Sequence, residues 1–437
     1  MRILLIAYEF PPSPSPQSLR WAYLTRELAA LGHEVHVLTP DIGPSIDSWP
    51  LLPEMIRIHR TFAGPFRGLL KTLVSWRRRS HAAATQADAT RVSASATGQP
   101  KYRLLGFLQR AVATLLFPDE RGEWRPFAAR RLRLVLQRLR PDVVVASHEP
   151  ATSLQLGLLA RRQGFPLVAD LGDPVLTAYT PRHWRNKAHH LEREICARAQ
   201  HVIVTSAATA QLLAQRHGGG VRVSVLTQGF DDHARAPDAN ANAIFDPARL
   251  ELLYTGNFYR FRRPDALLEA VRALGGMRLN VATSSAPRAL LQACRDAPER
   301  FRQLGFLSHA DALALQRQAD VLVHIANDDP VQVPGKLFEY LGAGRPVLYI
   351  GEPGCEAARI LAAAQACWIV DNHAERIRTT LAEILDRKRE GELPMCAPAS
   401  AYGWSRIAAR LEGVLAAAVH AAASGGGNVD PTRPNSA

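Results

Sequence analysis

Several features that would assign a chain to a common functional class are scarce or missing in this sequence. Cysteine occurs only five times in 437 residues, without the spacing of metal ligands, so neither a disulfide framework nor a zinc site is predicted. No apolar run reaches the roughly 18 residues of a membrane span. No signal-peptide pattern follows Met1. We therefore expect a cytoplasmic protein with reduced thiols.

The residues that most often hold divalent metals are also missing. The sequence contains no Asp-x-Asp triplet and no cluster of histidines with carboxylates. Because Mg²⁺ and Zn²⁺ are held by carboxylate, imidazole and thiolate groups, we expect neither a bound metal nor a resident cofactor. We expect no nucleic-acid partner either, since no recognition motif accompanies the positive charge.

Positive charge is abundant but local. The net charge is +13, and residues 60–140 alone hold 17 Lys and Arg against 4 Asp and Glu, which accounts for the whole excess. Within this basic segment, apolar side chains at helical spacing run from Phe66 to Val74 and from Leu104 to Leu116. Such helices can lie on an anionic bilayer, which would make the protein peripheral on the inner face of the cytoplasmic membrane. They can equally cover the sheet of their own domain, and both interpretations stay open.

Short apolar strands alternate with helical segments along most of the chain, which predicts parallel sheets covered on both faces. The first series of predicted strands comprises residues 3–7, 33–38, 143–146, 167–171, 202–205 and 221–226. The second series comprises residues 250–254, 279–282, 321–325, 346–350 and 368–370. Residues 231–246, rich in Ala, Asn, Asp and Pro, are predicted to link the two series.

The predicted fold class is therefore α/β, with two Rossmann-like, doubly wound parallel-sheet domains that face a cleft. We expect the first domain over residues 1–228 and the second over residues 229–402. Ligands of such sheets bind at the carboxyl ends of the strands. Residues 424–437, with three consecutive glycines and scattered prolines, are expected to be disordered.

The most informative segment is residues 333–348, between two predicted strands. Its helix is predicted to begin near Pro334, because proline suits a first turn, and to end at Gly344. Lys336 and Glu339 lie three residues apart and share one face of this helix. A helix N-terminus with a cation favours phosphate, and the carboxylate can hold a ribose, so the segment predicts a nucleotide-diphosphate pocket. An ordinary helix–strand connection with a surface Lys and Glu is the alternative.

This string resembles the donor-sugar signature of the retaining, GT-B-fold glycosyltransferases of the family-four type. The resemblance implies that Glu339 holds the ribose of a nucleotide sugar. In the family a second Glu, eight residues earlier, touches the sugar, whereas this chain has Val331 there. Asp328 and Asp329 are candidate substitutes. The departure leaves the identity of the donor sugar open.

Further segments extend the resemblance to about residue 420. Residues 253–264 look like the strand and glycine loop that open the second domain, and residues 305–308 like the loop that grips the nucleotide base. Residues 166–174 are similar to the first domain of the family, and residues 403–423 to the last helix, which crosses back to the first domain. The resemblance implies donor contacts in the second domain at Val333, Pro334, Gly335, Glu339, Gly256, Asn257, Arg260, Leu307 and Ser308.

The loop after the first strand, residues 8–20, is where relatives often carry paired glycines that let the backbone approach the diphosphate. This chain has Pro and Ser there instead. We expect Ser15, Gln17 and Ser18 to offer backbone N–H groups to the donor, with Arg20 assisting. The alternative is that the prolines merely fix the loop and that Arg20 is a surface residue.

Four residues are predicted to take part in the chemistry. Transfer places negative charge on the departing diphosphate, which cations and amide dipoles must offset when no metal is bound. Lys336 and Arg263 are the expected cations. Asp173 and His148 lie at predicted strand ends, where Asp173 would accept a hydrogen bond from the attacking hydroxyl and His148 would bind acceptor or donor. A purely structural role for His148 is the alternative.

The sequence thus predicts a metal-independent, retaining glycosyltransferase that uses a nucleotide-diphosphate sugar. Its acceptor would be lipid-linked or another saccharide, as in the synthesis of a bacterial surface polysaccharide. A GT-B nucleotide-sugar epimerase or hydrolase is the first alternative. A degenerate nucleotide-binding subunit is the second, motivated by Val331 and by the absence of the His that the family commonly carries near Gly172.

Overall fold

The computed structural model describes residues 1–13, 15–43, 52–65, 119, 121–178, 180–233, 244–258, 262–327, 333–364, 367–395 and 399–425. Both amphipathic stripes predicted within the basic segment lie outside these residues. So do Arg260, Val331 and the predicted disordered tail from residue 426 onward.

Within the described residues, seven parallel strands form the sheet of the first domain. They are β1 Arg2–Ile6, β2 Glu34–Asp41, β3 Arg57–Phe62, β4 Val143–His148, β5 Leu167–Leu171, β6 His201–Val204 and β7 Val223–Val225. Their spatial order is β3-β2-β1-β4-β5-β6-β7. Every residue of β4 and β5 is buried, as expected for central strands covered on both faces.

The second sheet repeats this plan. Among the described residues its six parallel strands are β8 Leu250–Thr255, β9 Met277–Ala282, β10 Phe301–Gly305, β11 Val321–Ile325, β12 Val347–Ile350 and β13 Cys367–Val370. Their order is β10-β9-β8-β11-β12-β13. In each sheet the order reverses beside the first strand of the domain, between β1 and β4 and between β8 and β11. Ligands bind at such switch points, outside the carboxyl ends of the strands.

Helices cover both faces of each sheet. Among the described residues, those of the first domain are α1 Pro16–Ala30, α2 Arg125–Leu139, α3 Thr152–Arg162, α4 Arg185–Arg198 and α5 Ala207–His217. They are followed by α6 Asp265–Ala273, α7 Arg288–Asp296, α8 His309–Gln318, α9 Gly335–Ala343, α10 Glu356–Ala363, α11 Ala374–Glu390 and α12 Trp404–Gly425. Two apolar clusters flank each sheet, one on either face. The doubly wound α/β prediction is therefore confirmed.

The last helix, α12, returns to the first domain. Its residues 404–424 are long and apolar enough to span a membrane by length and composition alone. Trp404, Ile407 and Leu411 on this helix are nevertheless buried in the same cluster as Trp21 and Leu24 of α1. One face of α12 is therefore part of the core of the first domain.

Two edge strands, β3 and β10, were not among the strands predicted from the sequence. Their sequences, RIHRTF and FRQLG, carry Arg, His and Gln and lack the apolar runs of the central strands. Each lies at the outer end of its sheet and pairs with one neighbour only. An edge strand keeps part of its surface in water, so its sequence is more polar.

Candidate active site

Helix α9 begins and ends where the sequence predicts. Pro334 precedes its first residue in an extended conformation, and Gly344 ends it with a positive φ of 70°. Leu337, Phe338 and Leu341 are buried against the second sheet. This burial fixes the rotation of the helix, so its first turn and the side chains of residues 336 and 339 have defined directions.

Lys336 joins the start of α9 to the carboxyl end of β8. Its Nζ donates to the carbonyl oxygen of Thr255 at 3.0 Å. The side chain passes so close to Gly256 that a Cβ there would collide with Nζ, and the φ of Gly256 is 131°, a conformation that favours glycine. Burial lowers the pKa of Lys336 to about 8; Glu339 opposes the shift and Arg262 reinforces it.

Arg262 is a second buried cation beside Lys336, and the sequence prediction missed it. Its side chain is largely buried, and its Nε donates to Asn327 Oδ1 at 2.8 Å. Burial, followed by the charges of Arg262 and Lys336, lowers the pKa of His324 to about 3, so that ring is neutral. The predicted cation, Arg263, is instead exposed. Both arginines are therefore candidates for the donor site, and the sequence alone does not distinguish the buried Arg262 from the exposed Arg263.

Glu339 lies at the boundary between the domains. Its Oε1 is 3.9 Å from Nδ1 of His309 on α8, and Nε2 of that histidine is 3.4 Å from the hydroxyl of Tyr23 on α1. Burial raises the pKa of Tyr23, and the charges of Asp231 and Glu339 add to the effect. The predicted ribose-binding carboxylate therefore faces the first domain.

The interdomain turn at residues 226–231 packs directly on α9. A Cβ on Gly335 would lie 3.5 Å from Gln228, and a Cβ on Gly342 would overlap the ring of Phe230. The turn is anchored by the N–H of Phe230, which donates to the carbonyl of Tyr402 at 3.0 Å. The N-terminus of α9, with Lys336 and Glu339, thus adjoins the boundary of the two domains.

Asn257, Leu307 and Ser308, predicted to contact the donor, hold the loops around this region. Asn257 Oδ1 accepts from the hydroxyl and the N–H of Ser284 at 2.7 and 3.3 Å. Ser308 Oγ accepts from the N–H of Asp311 at 3.2 Å and caps α8. Leu307 packs against an apolar cluster of the second domain. These contacts order the loops at the carboxyl ends of β8, β9 and β10.

The structure contradicts the roles predicted for Ser18 and Arg20. Ser18 is fully buried, and its N–H donates to Ser15 Oγ at 3.1 Å to cap α1. Arg20 is only 1% exposed; it pairs with Asp170 at 3.3 Å and donates to the carbonyl of Thr227 at 2.6 Å. Neither group is available to a ligand, and Arg20 is not a surface residue either. It fixes α1, β5 and the interdomain turn together.

His148 and Asp173 meet at the carboxyl ends of β4 and β5. Nδ1 of His148 lies 2.8 Å from the carbonyl oxygen of Asp173. A carbonyl only accepts, so Nδ1 carries the hydrogen and Nε2 of the neutral ring is an acceptor. His148 lines a cavity of about 190 Å³ in the first domain. Its other polar lining residues are Asp119, Arg121, Glu149, Thr177, Thr180 and Trp184.

Arg121 supplies a cation to this cavity, although the sequence prediction did not include it. Its Nη1 pairs with Glu9 Oε1 at 2.8 Å, and its guanidinium lies 5.2 Å from the centre of the Tyr8 ring. Because Glu9 follows β1 and Arg121 precedes α2, this pair joins the carboxyl end of β1 to the part of the basic segment that precedes α2. No sequence spacing relates the two residues.

A direct contact also joins the two domains away from α9. The carboxylate of Glu356, at the start of α10, accepts from the N–H groups of Ala207 and Ala208 at 2.9 and 3.1 Å. These N–H groups belong to the first turn of α5, where backbone donors have no partner within the helix and attract negative charge. Glu356 therefore caps a helix of the opposite domain.

The described residues contain no group of three or more His, Cys, Asp or Glu placed to hold a metal ion.

Comparison with solved structures places this architecture in a known class. A sucrose-phosphate synthase from Thermosynechococcus elongatus has 16% identity over 96% of this chain and 100% of that chain, with a TM-score of 0.66. WaaG, a glycosyltransferase involved in lipopolysaccharide biosynthesis, has 14% identity over 98% and 100%, with a TM-score of 0.54. A putative UDP-N-acetylglucosamine 2-epimerase from Listeria monocytogenes has 14% identity over 95% of each chain, with a TM-score of 0.53. At sequence identities this low, the structural similarity establishes only the fold. It confirms the predicted GT-B fold.

The sequence also matches a family directly. Residues 17–229, nearly the whole first domain, match the glycosyl transferase 4-like domain, whereas a search of curated protein sequences returns no match. The first domain is therefore a glycosyl transferase 4-like domain. The protein is a glycosyltransferase that takes a sugar from a nucleotide-sugar donor.

Proposed function

We propose that this enzyme is a retaining, metal-independent glycosyltransferase whose acceptor is lipid-linked or otherwise held at a membrane. The observation that carries the proposal is the start of α9. There Lys336, Arg262 and the first-turn N–H groups lie beside Glu339, at the boundary with the first domain. This arrangement supports a donor site for a nucleotide-diphosphate sugar.

Each group in the proposed donor site has a chemical task. The diphosphate gains negative charge as it leaves the sugar, and Lys336, Arg262 and the N-terminus of α9 offset that charge. Glu339 accepts hydrogen bonds from the two ribose hydroxyls. The ring of Phe306, 65% exposed in the loop before α8, is available to stack on the nucleotide base.

The cavity beside His148 is the proposed acceptor site. In a retaining reaction the acceptor approaches from the side of the departing diphosphate, whose oxygen assists removal of the hydroxyl proton. His148 Nε2 is an acceptor in the neutral ring and would orient that hydroxyl. Asp173 positions the histidine through its carbonyl. Closure of the two domains would exclude water and align the reactants.

A membrane-held acceptor is supported by the surface of the first domain. Helix α2 carries the exposed residues Arg125, Arg130 and Arg133, and Phe62 and Phe127 pack edge to face while staying 48% and 40% exposed. Exposed apolar rings among arginines favour an anionic lipid surface. WaaG, which has the same fold, takes part in lipopolysaccharide biosynthesis, and we propose a comparable place for this enzyme in the synthesis of a surface polysaccharide at the cytoplasmic membrane.

The donor site is tested by replacing Glu339 with Ala. Loss of charge-assisted hydrogen bonds to the ribose should weaken nucleotide-diphosphate binding by about 1.5–3 kcal/mol, or roughly 10- to 150-fold. Calorimetry on the full chain measures this after a thermal-shift screen has chosen the nucleotide. Glu383→Ala, an exposed substitution on α11, is the control and should bind normally. Equal affinity for wild type and Glu339→Ala would refute the assignment.

Product analysis separates transfer from epimerisation, since a putative epimerase shares the fold. A transferase converts the donor rapidly only when an acceptor is present. Rapid turnover of the donor alone, with release of an altered sugar, would favour an epimerase or hydrolase even if Glu339 binds the nucleotide as proposed.

A further inference from the structure

A second cavity lies at the amino ends of strands in the first sheet, whereas the proposed acceptor site lies at the carboxyl ends. It opens between the amino ends of β1, β2 and β3 and the last turns of α2, and its volume is about 370 Å³. Its polar lining residues are Arg2, Glu34, His36, Arg57, His59, Arg131 and Arg138. The proposed glycosyl transfer uses none of them.

Two histidines occupy positions where this sheet otherwise carries core residues. Alternation along β2 puts His36 on the same face as Leu38, which is buried in the apolar cluster beneath α2. The rings of His36 and His59 stack with centres 5.1 Å apart, and Nδ1 of His36 lies 2.8 Å from Nε2 of His59. The two imidazole rings thus form a polar floor with an open cavity above it, whereas apolar side chains at these positions would pack together and fill the space.

The charge around this floor is strongly unbalanced. Four arginines line the cavity, and Glu34 is the only carboxylate among its described lining residues. Its Oε1 lies 3.1 Å from Nε2 of His36 and 4.0 Å from Nη1 of Arg57. Arg2 pairs with Asp142 outside the cavity. No ion pair to Arg131 or Arg138 is found in the part of the chain that the structure describes. These two lie seven residues apart on α2, so their side chains project from the same face of the helix.

The titration of His59 reflects the same excess of positive charge. Burial lowers the pKa of His59 to about 4, and the charges of His36, Arg131 and Arg57 act in the same direction. A stacked imidazole pair surrounded by guanidinium groups offers hydrogen-bond donors and positive potential to a ligand. Guanidinium groups bind phosphate oxygens through paired hydrogen bonds.

We propose that this cavity binds an anion of the phosphate class that carries two or more negative charges. Arg131 and Arg138 clasp the anion from α2, Arg2 and Arg57 approach it from the strand ends, and His36 and His59 form the floor. A dianion offsets the repulsion among the arginines, which a neutral ligand or a single carboxylate leaves largely in place. The same chemistry is presented by a soluble polyphosphate and by a phosphomonoester headgroup such as that of phosphatidic acid.

The test compares two double variants of the full chain that remove equal charge from helices of the first domain. Arg131→Gln/Arg138→Gln removes the two arginines of α2 that line the cavity, and Arg193→Gln/Arg198→Gln removes two exposed arginines of α4 that neither line it nor belong to the proposed membrane surface. Calorimetry with inorganic pyrophosphate is one arm. The other arm is co-sedimentation with vesicles of phosphatidic acid in phosphatidylcholine.

We expect the cavity variant to bind pyrophosphate or the vesicles about tenfold more weakly or worse, while the control variant binds as wild type does. Loss in the pyrophosphate arm alone identifies a soluble ligand, and loss in the vesicle arm alone identifies a headgroup. Equal loss in both variants, which diffuse charge attraction would cause, overturns the proposal. If the cavity variant binds both probes as wild type does, the proposal is also overturned, and any pyrophosphate then binds at the start of α9 only.

Imidazole NMR gives a readout specific to the cavity. A bound dianion offsets nearby positive charge, so the pKa of His59 should rise on saturation with the probe that binds, and the signal can be assigned with His59→Gln. The charged and titratable groups that face this ring are Arg2 of β1, Glu34 and His36 of β2, Arg57 of β3, and Arg131 and Arg138 of α2. A His59 titration that does not change in the presence of the bound probe contradicts the proposal.

Discussion

The two domains use buried cations in opposite ways. In the first domain, Arg20 is paired with the carboxylate of Asp170 and is closed off from solvent. In the second, Lys336 donates to a backbone carbonyl, and Arg262 donates to the amide oxygen of Asn327. A carboxylate neutralises the charge that it holds, whereas the carbonyl oxygen of Thr255 orients Lys336 without neutralising it. The partner that holds a buried cation is therefore a better guide to its role than the cation itself.

The largest expected effect comes from breaking the neutralised pair. Arg20→Met leaves Asp170 buried with only neutral donors from Gln17 and Trp21, so the free energy of unfolding should fall by about 3–5 kcal/mol. Urea denaturation measures this, and Arg133→Met, on the exposed face of α2, serves as the control. The folded fraction of Arg20→Met should bind nucleotide normally. If Arg20→Met instead keeps the wild-type stability but loses nucleotide binding, Arg20 contributes to the donor site as the sequence predicted.

Arg262 and Arg263 are adjacent in sequence but differ in environment, which gives a matched pair. Arg262→Ala removes a buried cation next to Lys336, so kcat/KM for the nucleotide sugar should fall by about 1.5–3 kcal/mol of transition-state stabilisation. Arg263→Ala removes an exposed side chain and should leave kcat/KM close to the wild-type value. Steady-state kinetics on both variants decides the assignment. A larger loss for Arg263→Ala would show that the sequence-based choice was correct.

The fold was predictable because its evidence is repeated along the chain. Central strands such as β4 and β8 are continuous apolar runs, and the alternation with helices fixes a parallel, doubly wound arrangement. The edge strands β3 and β10 were not predicted, because a strand with one neighbour tolerates Arg, His and Gln in its sequence. Helix α9 was also predictable, because its proline, its glycine and its apolar spacing are local signals.

The site was only partly predictable, because its roles depend on partners distant in sequence. A run of arginines at 260–263 indicates positive charge, but only the fold shows that Arg262 turns toward Lys336. Arg20 looked available because Asp170 is 150 residues away along the chain and adjacent to it in space. The same limitation applies to Arg121, which lies inside the basic segment, whereas its partner Glu9 lies in the loop after β1.

The pH dependence of catalysis tests whether the charge of Lys336 serves the donor. Its pKa is about 8, so the lysine carries its charge below pH 8 and loses it as the pH rises through that value. For the free enzyme, kcat/KM should therefore be level near pH 7 and fall by up to about tenfold per pH unit above 8.

Two variants sharpen this test. Arg262→Gln removes a neighbouring positive charge, which raises the pKa of Lys336 and moves the fall in kcat/KM to higher pH. Arg263→Gln should leave the profile unchanged. A flat wild-type profile from neutral to alkaline pH would show that this lysine does not serve the donor.

The contact between Glu356 and helix α5 gives the smallest expected effect and tests how the two domains are held together. Glu356→Gln keeps the shape of the side chain but removes the charge that faces the first turn of α5. A carboxylate at a helix N-terminus contributes about 0.3–1 kcal/mol, and the domain-closed form should lose that amount relative to the open form. If closure precedes transfer, kcat/KM falls by about two- to fivefold. Because salt screens the interaction, kcat/KM of the wild type should approach that of the variant as the salt concentration rises.

The matched control is Glu352→Gln, which alters an exposed carboxylate four residues earlier that makes no such contact among the described residues. Identical kinetics for the two variants at low salt would mean that this contact does not govern closure, and that the packing of the interdomain turn on α9 governs it instead.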